Sequence, residues 1–497
     1  MNGVHRATNG PYITCLIAAI QQDNPDRLQD VLETKKHLIG LDDLSKALLM
    51  AADKGADECA RILLAAGALP NLHDGLGWTP VVVAAKKGNS NVLKVLAEAG
   101  ANVSRPTSRI RATGLHWAAS QGHYDCVKVL LEHEAKIEAQ TSFGRTPLMQ
   151  AARSGFDDIV SFLIDWGANV NGRDYEKGTA LHLAAEEGNV RTIRMLLQEG
   201  ADVDAQMKNG DTPIMRAAIR GQTEAVRLVI NKGCNLKLSG HQLTPLHWAA
   251  EGGHTECLQL LLDAGIDPNI CTKDSYHGAD FVVNAFTTPL MVAAKKANIE
   301  AIKFLAEKKV DIHATDSDGK TAFLYAVKAN DEEAILALMH AGADIDSNRG
   351  KSPYSARMSP LFYAISENFV TSAKTLIRAN CNLHITATMK DGRHVGPLEC
   401  ALSRERIAIA RMLIIAGIGQ FVINPQVLQE GIVWLIGEDE ALSEWIMKSL
   451  NEVSSLSQLS RLAIRESIGR PIFPELIEQL PLPPRLLNYV NFCDLED

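Results

Sequence analysis

The sequence predicts an all-α solenoid of stacked two-helix repeats that ends in a small helical C-terminal segment. Three observations carry this. Thr146, Thr179 and Thr212 recur 33 residues apart, and Thr113, Thr244 and Thr321 continue the series, which is the period of a stacked array. Each of these but Thr321 is followed five residues later by an Ala pair, as at Ala184-Ala185, and then by a glycine such as Gly188. Past Ile418 the pattern stops, and a segment of different character follows.

One unit, Gly178 to Asp204, explains the rest. Thr179 is placed to cap a short helix, and in sister repeats Pro147 and Pro213 stand at the first helical position, where a missing N–H costs nothing. The Ala pair lets neighbouring helices approach closely. Gly188 supplies the left-handed residue that ends the first helix, and Gly200 ends the second. That second helix buries Ile193, Leu196 and Leu197 at spacings of three and four. A single pair of helices cannot cover its apolar face, so stability should accumulate over neighbouring interfaces.

These units resemble ankyrin repeats. The resemblance rests on Gly144-Arg145-Thr146-Pro147-Leu148, Thr179-Ala180-Leu181-His182-Leu183-Ala184-Ala185 and Thr244-Pro245-Leu246-His247-Trp248-Ala249-Ala250, with Gly167-Ala168-Asn169-Val170-Asn171 closing a unit.

Along the chain, residues 1–10 are polar and read as a flexible N-terminus, and 11–420 as the solenoid. Its first unit, residues 11–39, is a degenerate cap with helices marked by Ile13, Leu16, Ile17 and Ile20 and by Leu28, Val31 and Leu32. About eleven repeats follow, with first helices starting near Leu44, Thr79, Thr113, Thr146, Thr179, Thr212, Thr244, Thr288, Thr321, Ser359 and Gly396. The step from Thr244 to Thr288 places about eleven extra residues in a loop from Cys271 to Thr287. A smaller excess falls between Ser347 and Ser359. Residues 421–452, with Trp434 and Trp445, read as a helical cap or linker, and 453–497 as a separate box.

Composition narrows the function classes. The chain has 497 residues, 46% of them hydrophobic and 22% charged, with a net charge of −9. No basic stripe is present to displace counterions, so neither nucleic acid nor an anionic membrane is the expected partner. Nine cysteines stand singly, with no Cys-x-x-Cys pair, and read as reduced thiols of a cytoplasmic protein, with the nucleus open to it as well. The apolar run Ile13 to Ile20 is too short to span a bilayer and reads as the first helix of the array. No phosphate loop, nucleophile elbow or zinc-protease motif occurs, so a non-catalytic protein without cofactor or metal is expected. His123 with Cys126 and His254 with Cys257 share one spacing, but two such residues per site do not make a zinc site.

The C-terminal segment from Ser454 to Val490 is distinctive. Leu456, Ser460 and Ile464 share a helix face flanked by Leu459, Ala463 and Ile468, and Gly469 with Pro471 ends that helix. Leu480-Pro481-Leu482-Pro483-Pro484 then favours an extended conformation that loses little entropy on docking. This segment resembles a SOCS box, and the chain as a whole resembles the ankyrin repeat and SOCS box family. The resemblance implies binding of elongin C, with elongin B, through Leu456, Leu459, Ser460 and Ile464. It also implies recruitment of Cullin-5, with its RING-box protein, through Leu480, Pro481, Leu482, Pro483 and Tyr489. The chain would then be the substrate-recognition subunit of a ubiquitin ligase. Ser460 stands where the family has cysteine, a change expected to cost roughly 1 kcal/mol, or several-fold in affinity. A ligase-independent scaffold with a degenerate box is the alternative.

A protein target, whose identity the sequence leaves open, would bind the turn tips and the outer side of the first helices. The candidates are Trp78, Arg111, Arg145, Arg153, Lys177 and Arg220, with Arg109, Lys208 and His241 beside them. The cations suggest an acidic target segment; a solvated face of mixed charge, diluted by Glu186 and Glu187, is the plainer reading. Trp117 and Trp248 share a repeat position and are expected to fill gaps between repeats. In the long loop, Tyr276, Phe281 and Phe286 either anchor a partner or fold back on the stack.

Overall fold

A computed structural model describes residues 13–35, 38–277, 282–347, 359–383, 385, 387–388, 394–404 and 406–416. Its 24 helices run in 12 successive antiparallel pairs, a cap pair followed by eleven repeats. They fall into two compact units, the first ending at Gly240 and the second beginning at His241. The box and the segment before it lie outside the described residues.

Local chemistry sets each pair. The helices Pro80–Lys87, Pro147–Ser154 and Pro289–Lys295 start after Thr79, Thr146 and Thr288, whose hydroxyls accept from the backbone N–H three residues on. Proline occupies the first turn of each. The glycines Gly88, Gly122, Gly155, Gly188 and Gly221 end first helices in the left-handed region. In the second unit Gly253 keeps that role, and Asn330 and Asn368 take it over in later repeats, as the residue type that tolerates this conformation best after glycine. The first helix of the first full repeat begins at Leu41, three residues before the expected Leu44, because Asp42 and Asp43 favour its positive end.

The Ala pairs are the close contacts of both stacks. Ala84-Ala85, Ala118-Ala119, Ala151-Ala152 and Ala184-Ala185 are all at 0% exposure in the first unit, as are Ala249-Ala250 and Ala293-Ala294 in the second. Second helices bury Val92, Leu93 and Leu96, and then Ile193, Leu196 and Leu197, as their spacing predicts.

Polar bonds between repeats supplement this packing. Asn189 Nδ2 donates to the carbonyls of Ala152 and Arg153, both at 2.8 Å, and so caps the first helix of the preceding repeat. Asn89 does the same to the Ala52 carbonyl at 2.7 Å, and Asn298 to the Ala250 carbonyl at 3.2 Å. The turn tips zip together through the backbone, with the N–H groups of Ser108, Ser142, Tyr175 and Lys208 donating to the carbonyls of Leu76, Ile110, Phe143 and Glu176.

The long loop departs from the all-helical expectation. Tyr276-His277 pairs antiparallel with Val282-Val283, and Thr272 Oγ1 pins the base by donating to the Asn284 carbonyl at 2.7 Å. A second short pair joins Ala387-Thr388 to His394-Val395. The excess between Ser347 and Ser359 lies almost wholly outside the described residues.

Candidate functional site

In the first unit the candidate residues occupy two rows. Trp78, Arg111, Arg145 and Lys177 stand at turn tips, while Arg153 and Arg220 end first helices. Trp78 meets the ring of Trp117 at 5.2 Å, and Lys86 Nζ lies 4.6 and 4.5 Å from their two centroids. The ammonium thus sits within cation–π range of both indoles. Trp117 bridges neighbouring repeats, as a gap-filling ring should.

Several of the cations are already engaged. Arg153 Nε lies 3.1 Å from Glu187 Oε1, and Arg220 Nη2 lies 2.8 Å from Glu186 Oε1. Glu186 is also held by Arg216 at 2.8 Å. Burial alone would raise the Glu186 pKa, but the hydrogen bonds from Arg220 and Arg216 outweigh it and hold the carboxyl below its ordinary value. Arg145 Nε stands 3.8 Å from the buried Asp174 carboxylate. This row is an ion-paired surface of mixed sign, with less free positive charge than its arginines suggest.

The tips carry backbone strain. The position two before the capping Thr is Gly77, Gly144, Gly210 or Gly319 in four repeats, each with φ between 78° and 85°. Arg111 and Lys177 occupy it with φ of 53° and 62°, where a side chain costs roughly 1–2 kcal/mol. Such strain at an exposed tip marks a position kept for something other than stability. Lys177→Gly is therefore expected to stabilise the chain by about 0.5–1 kcal/mol, once the added freedom of the unfolded chain is subtracted. Urea denaturation checks it, and an unchanged or lower midpoint would remove the argument from strain.

In the second unit Tyr276 is half-buried, its ring edge-on to His241 at 4.8 Å, and with Trp248 it packs on the buried cluster of Leu243, Val283 and Val292. The loop therefore folds back at its base. Phe286 is 54% exposed, and Phe281 lies outside the described residues.

Sequence reasoning passed over three buried histidines. Thr179 N–H lies 3.2 Å from His182 Nδ1, and this donor can only point at a lone pair, so the ring proton sits on Nε2. Nε2 then donates to the Asp211 carbonyl of the next repeat at 3.1 Å. His116 reaches the Arg145 carbonyl and His247 the Thr287 carbonyl in the same way, both at 3.0 Å. Burial pushes each of the three down to about 4, so all are neutral structural clips. One His-x-x-Cys pair is accounted for by packing between repeats: His123 Nε2 is 3.1 Å from the Lys86 carbonyl, and burial pushes the Cys126 thiol up to about 12. Among the described residues no group of three metal-ligating side chains occurs.

The family model "Ankyrin repeats (3 copies)" matches residues 16–107, 99–175, 115–207, 181–272 and 273–349, and the SOCS box model matches 452–491. The chain belongs to the ankyrin repeat and SOCS box family. Among its relatives is the palmitoyltransferase AKR1 of Lachancea kluyveri, 29% identical over 174 residues, 33% of this chain and 23% of that one. The B-cell lymphoma 3 protein homolog of Mus musculus is 32% identical over 178 residues, covering 35% and 36%. The putative E3 ubiquitin-protein ligase XBAT31 of Arabidopsis thaliana is 33% identical over 119 residues, covering 23% and 26%. This ankyrin repeat and SOCS box protein thus spans only about a quarter to a third of the length of these relatives. The crystal structure of the human ASB11 ankyrin repeat domain is similar at 27% identity and a TM-score of 0.38, over 44% of this chain and 90% of that one.

For this family member, the residues expected to bind elongin (Leu456, Leu459, Ser460, Ile464) and the cullin (Leu480, Pro481, Leu482, Pro483, Tyr489) all fall inside the matched box. They lie outside the described residues.

Proposed function

We propose that the chain is the substrate-recognition subunit of an elongin B/C and Cullin-5 RING ubiquitin ligase, its repeats capturing a target protein. The observation that carries this reading is the joint match of ankyrin repeats over residues 16–349 and a SOCS box over 452–491 in one chain. Such an adaptor contributes proximity alone. It raises the effective concentration of the target's lysines near a charged conjugating enzyme and needs no chemistry of its own.

One residue favours a second reading. Ser460 places a hydroxyl where an apolar thiol is expected, and a box weakened enough there would leave a ligase-independent scaffold. Co-purification of the full chain with elongin B, elongin C and Cullin-5 decides between them. The complex is expected to form with the native sequence, to be lost with Leu456→Asp, and to tighten several-fold, on the order of 1 kcal/mol, with Ser460→Cys. A native chain that recruits neither elongin nor cullin, while Ser460→Cys recruits both, establishes the scaffold instead.

A further inference from the structure

The inserted hairpin does more than lengthen a loop. Its strand Val282-Val283 walls a cleft of about 210 Å³ over the helices Pro245–Gly252, Pro289–Lys295 and Ala322–Ala329. The apolar lining is Leu243, Val282, Val283, Met291 and Val292. A cavity of about 150 Å³ suffices for benzene, so this one has room for a single aliphatic or aromatic side chain. Val282, 46% exposed, forms the outer lip.

The mouth is cationic. Lys295 Nζ donates to the Val282 carbonyl at 2.8 Å, which holds the ammonium at the rim. Lys296 and Lys320 are matched to carboxylates, Glu251 at 3.0 Å and Asp318 at 2.9 Å. The buried Asp316 is taken up by Tyr325 Oη at 2.7 Å and Asn284 Nδ2 at 2.7 Å. Among the described residues no carboxylate lies within ion-pair distance of Lys295 or of the exposed Lys328. Lost hydration, and then the nearby Lys296 and Lys328 ammoniums, push the Lys295 amine down against the weaker opposite pull of Glu251 in the cleft lining, a cost that an incoming anion would relieve. An apolar slot with an excess of positive charge at its lip is complementary to one kind of peptide.

We propose that this cleft captures a linear segment of the target in which an aliphatic or aromatic anchor is flanked by carboxylates. The anchor fills the slot between Val283 and Met291, and a flanking carboxylate pairs with Lys295, with Lys328 beyond it. This rests on the target-capture reading above and names the class of segment captured. This cleft lies where the hairpin interrupts the array, with Val282 and Val283 in its lining. Repeats without the insertion lack its outer wall.

Fluorescence anisotropy on the full chain tests it, with labelled peptides in a common Gly-Ser frame. One carries leucine between glutamates, one leucine between lysines, and one glycine between glutamates. The glutamate-flanked leucine peptide is expected to bind about tenfold more tightly than either other peptide. Lys295→Glu, a change at the rim, is expected to abolish that preference and turn it toward the lysine-flanked peptide. Equal binding of all three peptides, no binding by any, or an unchanged preference in Lys295→Glu overturns the proposal. The measurement uses neither elongin nor cullin. A failed co-purification with successful peptide binding therefore rejects the adaptor reading alone, and the converse rejects the cleft alone.

Discussion

His182→Ala is expected to lower the unfolding free energy of the chain by about 3 kcal/mol, measured by urea denaturation followed through tryptophan fluorescence. His182 is 1% exposed and ties Thr179 in its own repeat to the Asp211 carbonyl of the next. Truncation strands the Thr179 N–H, removes a donor from Asp211 and leaves a void where the ring stood. Two lost hydrogen bonds at about 1 kcal/mol each and a cavity term of similar size account for the total. A loss below about 1 kcal/mol would mean that the repeats hold together without this clip.

The same ring gives the stability a pH dependence. Its folded pKa, about 4, lies below the ordinary 6.5, so the unfolded chain takes up the proton first. Stability is therefore complete above about pH 6.5 and falls as pH drops toward 4, below which protonation of both states ends the loss. By pH 5 each of His116, His182 and His247 should have cost about 2 kcal/mol. In His182→Ala that share disappears, so the variant should lose less between pH 7 and pH 5 than the native chain. Parallel losses would place the acid sensitivity elsewhere.

Why these clips escaped the sequence reading is instructive. The fold was legible because its signals are local: a capping Thr, a proline one residue on, an Ala pair and a glycine lie within about ten residues of one another and repeat at one period. The His182 proton acceptor lies 29 residues away, in the next repeat, and the acceptor of His247 is 40 away because the insertion intervenes. Only the recurrence of His three residues after Thr hinted at a shared task. Ion pairs hide for the same reason, since Arg153 and Arg220 meet glutamates 34 residues distant. Lys295 was invisible as a candidate because the hairpin wall that gives it a role obeys no period. The left-handed tips at Arg111 and Lys177 were legible only as charges; their strain appears when the backbone is laid beside the glycines of sister repeats.

Those glycines carry the second large effect. Gly144→Val is expected to cost about 3 kcal/mol, against about 1 kcal/mol for Gly100→Ala, although both glycines have nearly the same φ, 78° and 77°. The difference lies in what the new side chain meets. A Cβ at Gly144 would stand 2.5 Å from Tyr175 Cδ1 and 2.6 Å from the Tyr175 backbone nitrogen, whereas nothing lies within 4 Å at Gly100. The tyrosine ring can swing away, but its backbone cannot move without stretching the 3.0 Å bond from Tyr175 N–H to the Phe143 carbonyl, which zips one turn tip to the next. A β-branched residue also fits the left-handed region worst of all. Because each tip bonds to its neighbour, the damage should spread as faster amide exchange at Tyr175, while Gly100→Ala leaves exchange there at the native rate. Equal losses from the two substitutions would show that conformation alone sets the cost and that the tip-to-tip bond adds nothing.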